Sequence, residues 1–301
     1  MKTILYGLGI LATIGLGTYW QWNYCSEVCE IDTAEQEGKK IDPTYAVLEP
    51  NAFTFSSDGV GFVCNQNFNF PLSEFMSKTP VGDSVDLGIE ELKSYLNNHK
   101  DQVAQIVGYY TEDEVNFSGF TNLGLARANN IKNYFIKKGI PSNRLVINGR
   151  LADEWDKKDK DILGPISIDL IRYSAVSQIK EWPNLKRNIN GNPLQLTFDI
   201  GESIGELNSS QRKLIMDIVT YMDHVMDSKI EIIGHTDNVG SREGNITMGK
   251  EQAEQTKSFL VKNGFTPERI IVSSKGPDEP IADNSQHAGR SKNRRTVILI
   301  K

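Results

Sequence analysis

The chain has 301 residues, enough for about two domains, and its 39% apolar and 24% charged residues suit a globular body with an ordinary core. A net charge of −6 excludes nucleic acid as a partner, because phosphates demand a basic surface. Hydrophobicity is concentrated at the start. The 17 residues from Ile4 to Trp20 carry no charge, and at ~1.5 Å per residue a helix there is about 26 Å long, close to a bilayer core. Tyr19, Trp20, Trp22 and Tyr24 cluster at its end as an aromatic belt would.

Residues 1–22 are therefore predicted to be a transmembrane signal anchor, followed by a linker over 23–50. No small-residue cleavage site occurs in Tyr19-Trp20-Gln21-Trp22-Asn23-Tyr24, so periplasmic release after cleavage is only the alternative. Lys2 precedes the span, and the nearest basic residues after it are Lys39 and Lys40. The positive-inside rule then places the N-terminus in the cytoplasm and the body outside the inner membrane, in the periplasm. Three cysteines, Cys25, Cys29 and Cys64, allow at most one bridge in an oxidising compartment. No His or further Cys stands at metal-ligand spacing, so neither a metal nor a cofactor is expected.

Downstream, the chain repeats itself. At an offset of 125, Gly119, Gly124, Ala128, Gly139 and Arg144 fall on Gly244, Gly249, Ala253, Gly264 and Arg269. At an offset of 126, Ile106-Val107-Gly108 falls on Ile232-Ile233-Gly234, and Ile89, Leu92, Tyr95 and Leu96 fall on Ile215, Ile218, Tyr221 and Met222. A period this long means tandem domains rather than a solenoid. The expected copies are 51–172 and 186–301, separated by a linker over 173–185, and each carries the strands and helices to fold alone.

The second copy reads as β-α-β-α-β-β. Leu194 to Ile200 alternates as a strand. Asn208 with Gln211 has capping-box spacing, ahead of an apolar face of Leu214, Ile215, Ile218, Val219, Met222, Val225 and Met226. Lys229 to Ile233 is a strand, Gly234 to Gly244 a loop, and Met248 to Lys262 a helix closed by Asn263-Gly264. Arg269 to Ser273 and Arg295 to Ile300 complete the set. This order predicts an α+β fold with helices layered on a mixed sheet.

Within the second copy stand Gly234-His235-Thr236-Asp237-Asn238-Val239-Gly240, then Asn245, and finally Asn293-Arg294-Arg295. These segments resemble, in order, the G-H-T-D-x-x-G, Asn and N-R-R-V motifs of the OmpA/MotB-like C-terminal domain, a module that tethers bacterial envelope proteins to peptidoglycan. The resemblance implies tandem OmpA-like domains, the first degenerate, in a Gram-negative envelope. It further implies that the family's Asp and the Arg of its L-S-x-x-R-A motif clamp the zwitterionic diaminopimelate of a stem peptide. The acid carries over as Asp237, with Thr236, Gly240 and Asn245 around it, but Gln252 occupies the position of the Arg. A neutral amide makes a weaker contact with a carboxylate than a guanidinium fork does; Arg242, Lys250 and Lys257 are candidate replacements. In the first copy the reverse holds. Leu123-Gly124-Leu125-Ala126-Arg127-Ala128 keeps the Arg, whereas Glu112 replaces the Asp and Phe120 the Asn, making Glu112 and Arg127 at most a weak second site. His235 reads as a packed rim residue, and Arg290, Arg294 and Arg295 as carboxylate-paired scaffold or solvated surface rather than ligand contacts.

Function then reduces to two readings. One is a membrane-anchored protein that binds peptidoglycan non-covalently through Asp237. The other is an envelope scaffold whose wall site has decayed and whose domains bind proteins. A proton-driven stator is excluded by the lack of a carboxylate in the span. An enzyme is not expected: His99, His224, His235 and His287 are scattered, and no Ser-His-Asp or Cys-His constellation accompanies them.

Overall fold

A computed structural model of the chain describes residues 51–57, 60–172, 182–198, 204 and 206–301. The expected anchor, the linker over 23–50, and Cys25 and Cys29 lie outside these residues; no helix among the described residues is long and apolar enough to cross a membrane. Cys64 is buried, its thiol 3.5 Å from the Gln66 carbonyl.

The C-terminal unit is built on a four-stranded sheet of β9 (Leu194–Thr197), β10 (Ile230–His235), β11 (Ile270–Gly276) and β12 (Arg295–Ile300), in the spatial order β11-β10-β12-β9. β10 and β11 are parallel, which requires a crossover, and α5 (Arg242–Lys262) supplies it. The antiparallel partners β12 and β9 complete the mixed sheet. α4 (Ser209–His224) begins with the expected capping box: Asn208 Oδ1 accepts from Gln211 N and Gln211 Oε1 accepts from Asn208 N, both at 2.9 Å. α6 (His287–Asn293) is a short turn of helix before β12.

Two expectations fail here. α5 starts six residues before Met248, at Arg242, because the Ser241 side chain caps the Gly244 amide. The expected loop ran from Gly234 to Gly244, whereas the helix takes in 242–244; further along it, Gly249 lets α5 lie close on β10, where a Cβ on Gly234 would lie 1.8 Å from the Gly249 carbonyl oxygen. The expected linker over 173–185 also ends inside a helix, α3 (Trp182–Gly191), which a boundary at 186 would cut. Trp182 stacks on His224 with ring centroids 4.4 Å apart, and Ile189 is buried in the C-terminal core, so Trp182-Pro183 opens a packed helix.

The N-terminal unit repeats the plan. Its sheet has β4 (Gln102–Tyr110) between β5 (Leu145–Leu151), parallel to it, and β8 (Ile166–Arg172), antiparallel to it. The crossover is α2 (Leu123–Lys137), and α1 (Asp83–Asn98) stands where α4 stands in the other unit. The parallel registers correspond residue for residue: Ala104 faces Leu145, and Ile230 faces Ile270, at the two offsets found in the sequence. Arg144 donates to the carbonyls of His99 and Gln102, and its counterpart Arg269 to those of Met222, Val225 and Ser228. Each arginine thus ties down the C-terminal end of the helix that leads into the central strand, α1 in one unit and α4 in the other. Gly108 against Gly124 repeats the contact of Gly234 with Gly249. A hairpin of β1 (Phe53–Ser57) and β2 (Val60–Cys64) covers α1 with a cluster of Phe53, Phe55, Phe62 and Phe68. The short strands β3 (Phe70–Pro71), β6 (Lys157–Lys158) and β7 (Asp161–Ile162) form a separate small sheet.

The units share a core. Phe75, Phe120, Leu123 and Ala126 of the first join Ile215, Ile218, Leu260 and Phe265 of the second in one cluster of buried apolar side chains. Polar contacts close its margin. Lys132, 2% exposed, meets Asp223 at 2.5 Å, Asn129 and Asn133 donate to the carbonyls of Asn263 and Gly264, and Arg212 donates to those of Ser118 and Phe120.

Candidate functional site

β10 ends at His235 and delivers Thr236 and Asp237 to the rim of the C-terminal sheet. Thr236 is pinned from both sides: its amide donates to Gly276 O and its hydroxyl to Asp237 O, both at 2.9 Å. Asp237 is nearly buried, and both carboxylate oxygens are engaged. Oδ1 accepts from the Val239 amide at 3.0 Å, an Asx-type turn, while Oδ2 accepts from Arg294 Nη1 at 2.9 Å. The turn continues through Gly240, whose φ of +97° strains any residue with a Cβ. Asn245, buried in the first turn of α5, donates to Val239 O at 3.1 Å and fixes the far side of the loop. Val239, 65% exposed, stands at the loop surface.

Thr236, Asp237 and Gly240 therefore share one loop, and Asn245 holds it from the first turn of α5. Gln252 follows on α5, seven residues after Asn245, so at 100° per residue both occupy one helix face. Its Oε1 is shielded from solvent and has no hydrogen-bond partner. The three proposed replacement cations do not reach this face. Arg242 is held by Asp278, Nε to Oδ1 at 2.9 Å. Lys250 and Lys257 project about 160° and 140° around the helix from Gln252.

The sequence reading missed how the closing Asn293-Arg294-Arg295 divides its work. Asn293, fully buried, accepts from the Ile281 and Ala282 amides and donates to Ala282 O and Asn284 Oδ1, which organises the loop before α6. Arg294 supplies the fixed charge beside Asp237, with its Nε directed at Phe198 O. Arg295 donates to Asn293 O and Glu279 O. Arg290 donates to the carbonyls of Asn284 and Ser285. The N-R-R spacing was visible, but the pairing of Arg294 with Asp237 spans 57 residues and is set by the register of β12 on β10. His235 is 3% exposed; burial and the neighbouring Arg295 push its pKa down to about 4. It packs at the rim as a neutral ring.

In the first unit the suggested pair of Glu112 and Arg127 does not form. Glu112 is exposed. Arg127 is fully buried and forks onto Glu114, Nη2 to Oε1 at 2.5 Å and Nη1 to Oε2 at 3.0 Å, with further bonds to Glu74 O and Tyr109 O. Burial works to raise the Glu114 pKa, but Arg127 and the Ser73 and Thr111 amides outweigh it and hold the carboxyl below its usual range. The loop that corresponds to the Asp237 loop is docked into the C-terminal unit. Phe120 is buried in the shared core, and Asn263 Oδ1 accepts from the Gly119 amide at 2.7 Å. Arg127 is thus consumed internally, and the loop serves as a joint.

The OmpA family's sequence profile matches residues 84–162 and 197–294, one stretch in each unit and together more than half of the chain. Among related proteins, the peptidoglycan-associated lipoprotein of Buchnera aphidicola is 33% identical over 94 residues, covering 31% of this chain and 54% of that protein. Outer membrane porin F of Pseudomonas fluorescens is 33% identical over 108 residues, covering 36% of this chain and 32% of that protein. The chain thus covers a third to about half the length of these two curated relatives. Among solved structures, the peptidoglycan-associated lipoprotein from Burkholderia pseudomallei is 24% identical, covers 36% of this chain and 89% of that one, and has a TM-score of 0.31. The profile match in both units identifies the chain as a member of the OmpA family.

Proposed function

We propose that the protein binds peptidoglycan non-covalently in the bacterial envelope through the Asp237 loop of its C-terminal unit. The observation that carries this reading is the loop itself: Thr236, Asp237, Gly240 and Asn245, separate in the motif pattern, are brought together with Asp237 oriented by Val239 N and Arg294. The names of relatives such as the peptidoglycan-associated lipoprotein support it. On this reading Asp237 receives the ammonium of the stem peptide's diaminopimelate, and Gln252 faces its other end. The first unit is a tandem copy whose site is occupied by its own Glu114 and whose loop has become the joint between units. The N-terminal apolar segment is the expected membrane tether, holding the body in the periplasm beside the wall.

The test is co-sedimentation of the full chain with purified sacculi, comparing wild type with Asp237→Asn. The substitution keeps the shape and a neutral acceptor for Arg294, so thermal unfolding serves as the control for folding. Wild type is expected to pellet and the variant, destabilised by the loss of the charge beside the buried Arg294 but still folded, to remain in the supernatant. A wild-type chain that stays in solution would refute the reading and turn the search to protein partners of a scaffold.

A further inference from the structure

We propose that the N-terminal unit carries a second binding site, for an N-acetylated sugar, in a cleft of about 470 Å³ at the start of α1. That volume lies within the ~300–1,000 Å³ range of small-ligand sites. The cleft shares no lining residue with the Asp237 loop, so it stands whether or not that loop binds the wall. One wall is the Asn65-Gln66-Asn67-Phe68-Asn69 segment that links β2 to β3; Pro80, Val81 and Gly82 ahead of α1 and Leu163 ahead of β8 face it. Asn67 is scaffold. Its Nδ2 donates to Asn51 O at 3.0 Å and to Ile166 O at 2.9 Å, and its Oδ1 accepts from Phe68 N at 2.8 Å, which fixes the segment against β8.

The other amides keep hydrogen-bonding capacity for a ligand. Asn69 Oδ1 accepts from Gly164 N at 2.9 Å, but its Nδ2 makes no hydrogen bond among the described residues and stays open to solvent. Asn51 Nδ2 donates to Asp156 Oδ2 at 3.1 Å, which leaves Asn51 Oδ1 open in the same way. The exposed side chains of Asn65 and Gln66 make no hydrogen bond among the described residues. Gln66 is nonetheless placed: a Cβ on Gly82 would lie 2.1 Å from its Oε1, so the amide rests directly over that glycine. Primary amides offer donors and acceptors together, which is what an array of hydroxyls and an acetamido group needs. Charge points to a neutral ligand as well. Lys78, the only cation among the described residues that line the cleft, is paired with Asp161, so an anion finds no free partner. The carboxylate of Asp156 is exposed to water and held by Asn51, which leaves it little pull on a cation. Pro80, Val81 and Leu163 add apolar surface for an acetamido methyl or the carbon face of a pyranose.

The experiment is calorimetric titration of the full chain with three trisaccharides: the fully N-acetylated β-1,4-glucosamine trimer, its deacetylated cationic form, and maltotriose, which is neutral but has no acetamido group. Wild type is expected to bind the N-acetylated trimer saturably and the other two about tenfold more weakly or less. Asn65→Ala and Gln66→Ala should each weaken binding of the N-acetylated trimer about two- to tenfold, the scale of one lost neutral hydrogen bond. Gly82→Ala should do the same by pushing the Gln66 amide out of the cleft; unfolding curves confirm that all three variants are folded. No saturable binding of the N-acetylated trimer, equal or tighter binding of either other sugar, or binding untouched by all three substitutions overturns the site. Because Asp237→Asn leaves this cleft intact, failure of sacculi to pellet the chain and failure of the trimer to bind are separate results.

Discussion

The two units are joined across a shared core, and one ion pair at its margin gives that joint a measurable strength. Lys132 on α2 is 2% exposed and its Nζ lies 2.5 Å from Asp223 Oδ2 on α4, whose side chain is 22% exposed. Asp223→Ala strands an ammonium with no counter-charge. Removing one member of a fully buried pair costs about 3–5 kcal/mol; because water reaches Asp223, the expected cost is about 2–3 kcal/mol. For a body of this size each kcal/mol shifts the midpoint by roughly 2–4 °C, so Tm should fall by about 5–10 °C. Adding Lys132→Met to Asp223→Ala removes the stranded charge and should restore most of the loss, since apolar replacements of buried pairs are often neutral. The assay is calorimetric and urea unfolding of the full chain, read by both tryptophan fluorescence and far-UV circular dichroism. One transition, shifted as a whole, is the expected result. Two separable transitions of which only one moves, or a loss below about 0.5 kcal/mol, would refute a joint built on this core and pair.

Gly234→Ala should destabilise by at least about 1–3 kcal/mol, because its Cβ would lie 1.8 Å from the Gly249 carbonyl oxygen and α5 must lift off β10; a chemical denaturation curve checks it. Glu114→Ala, which leaves the fully buried Arg127 unpaired, should cost about 3–5 kcal/mol, whereas Glu112→Ala on the surface should stay within about 0.5 kcal/mol. Comparable losses from the two would contradict the internal pairing. His235 binds its proton in the folded state only near pH 4, against about 6.5 in the unfolded chain. Between these values the unfolded chain holds the proton that the folded one excludes, so stability should fall on acidification, by about 3 kcal/mol in all. His235→Gln should flatten that part of the stability profile measured from pH 7 to 4, and an unchanged slope would assign the acid lability elsewhere.

Local chemistry determined much of the fold. The Asn208 capping box, the alternation from Leu194, the apolar face from Leu214 to Met222 and the Asn263-Gly264 terminus are short-range signals, and each became the element expected. The repeat was equally legible, because paired glycines and the arginines at 144 and 269 impose the same packing demand in both units. The members of the Asp237 loop could be named from their order along the chain. Three things were decided only in tertiary structure. α5 begins at Arg242 rather than Met248, because Ser241 caps it and its Gly249 packs against the strand glycine Gly234. Arg127 pairs with Glu114 and Asp237 with Arg294, because burial forces each charge to the partner that the folded backbone places nearest rather than to the one that motif spacing suggests. And the loop ending at Phe120 became a joint rather than a binding site, because its apolar side chain gains more by burial in the neighbouring unit's core than the loop could gain exposed at a rim.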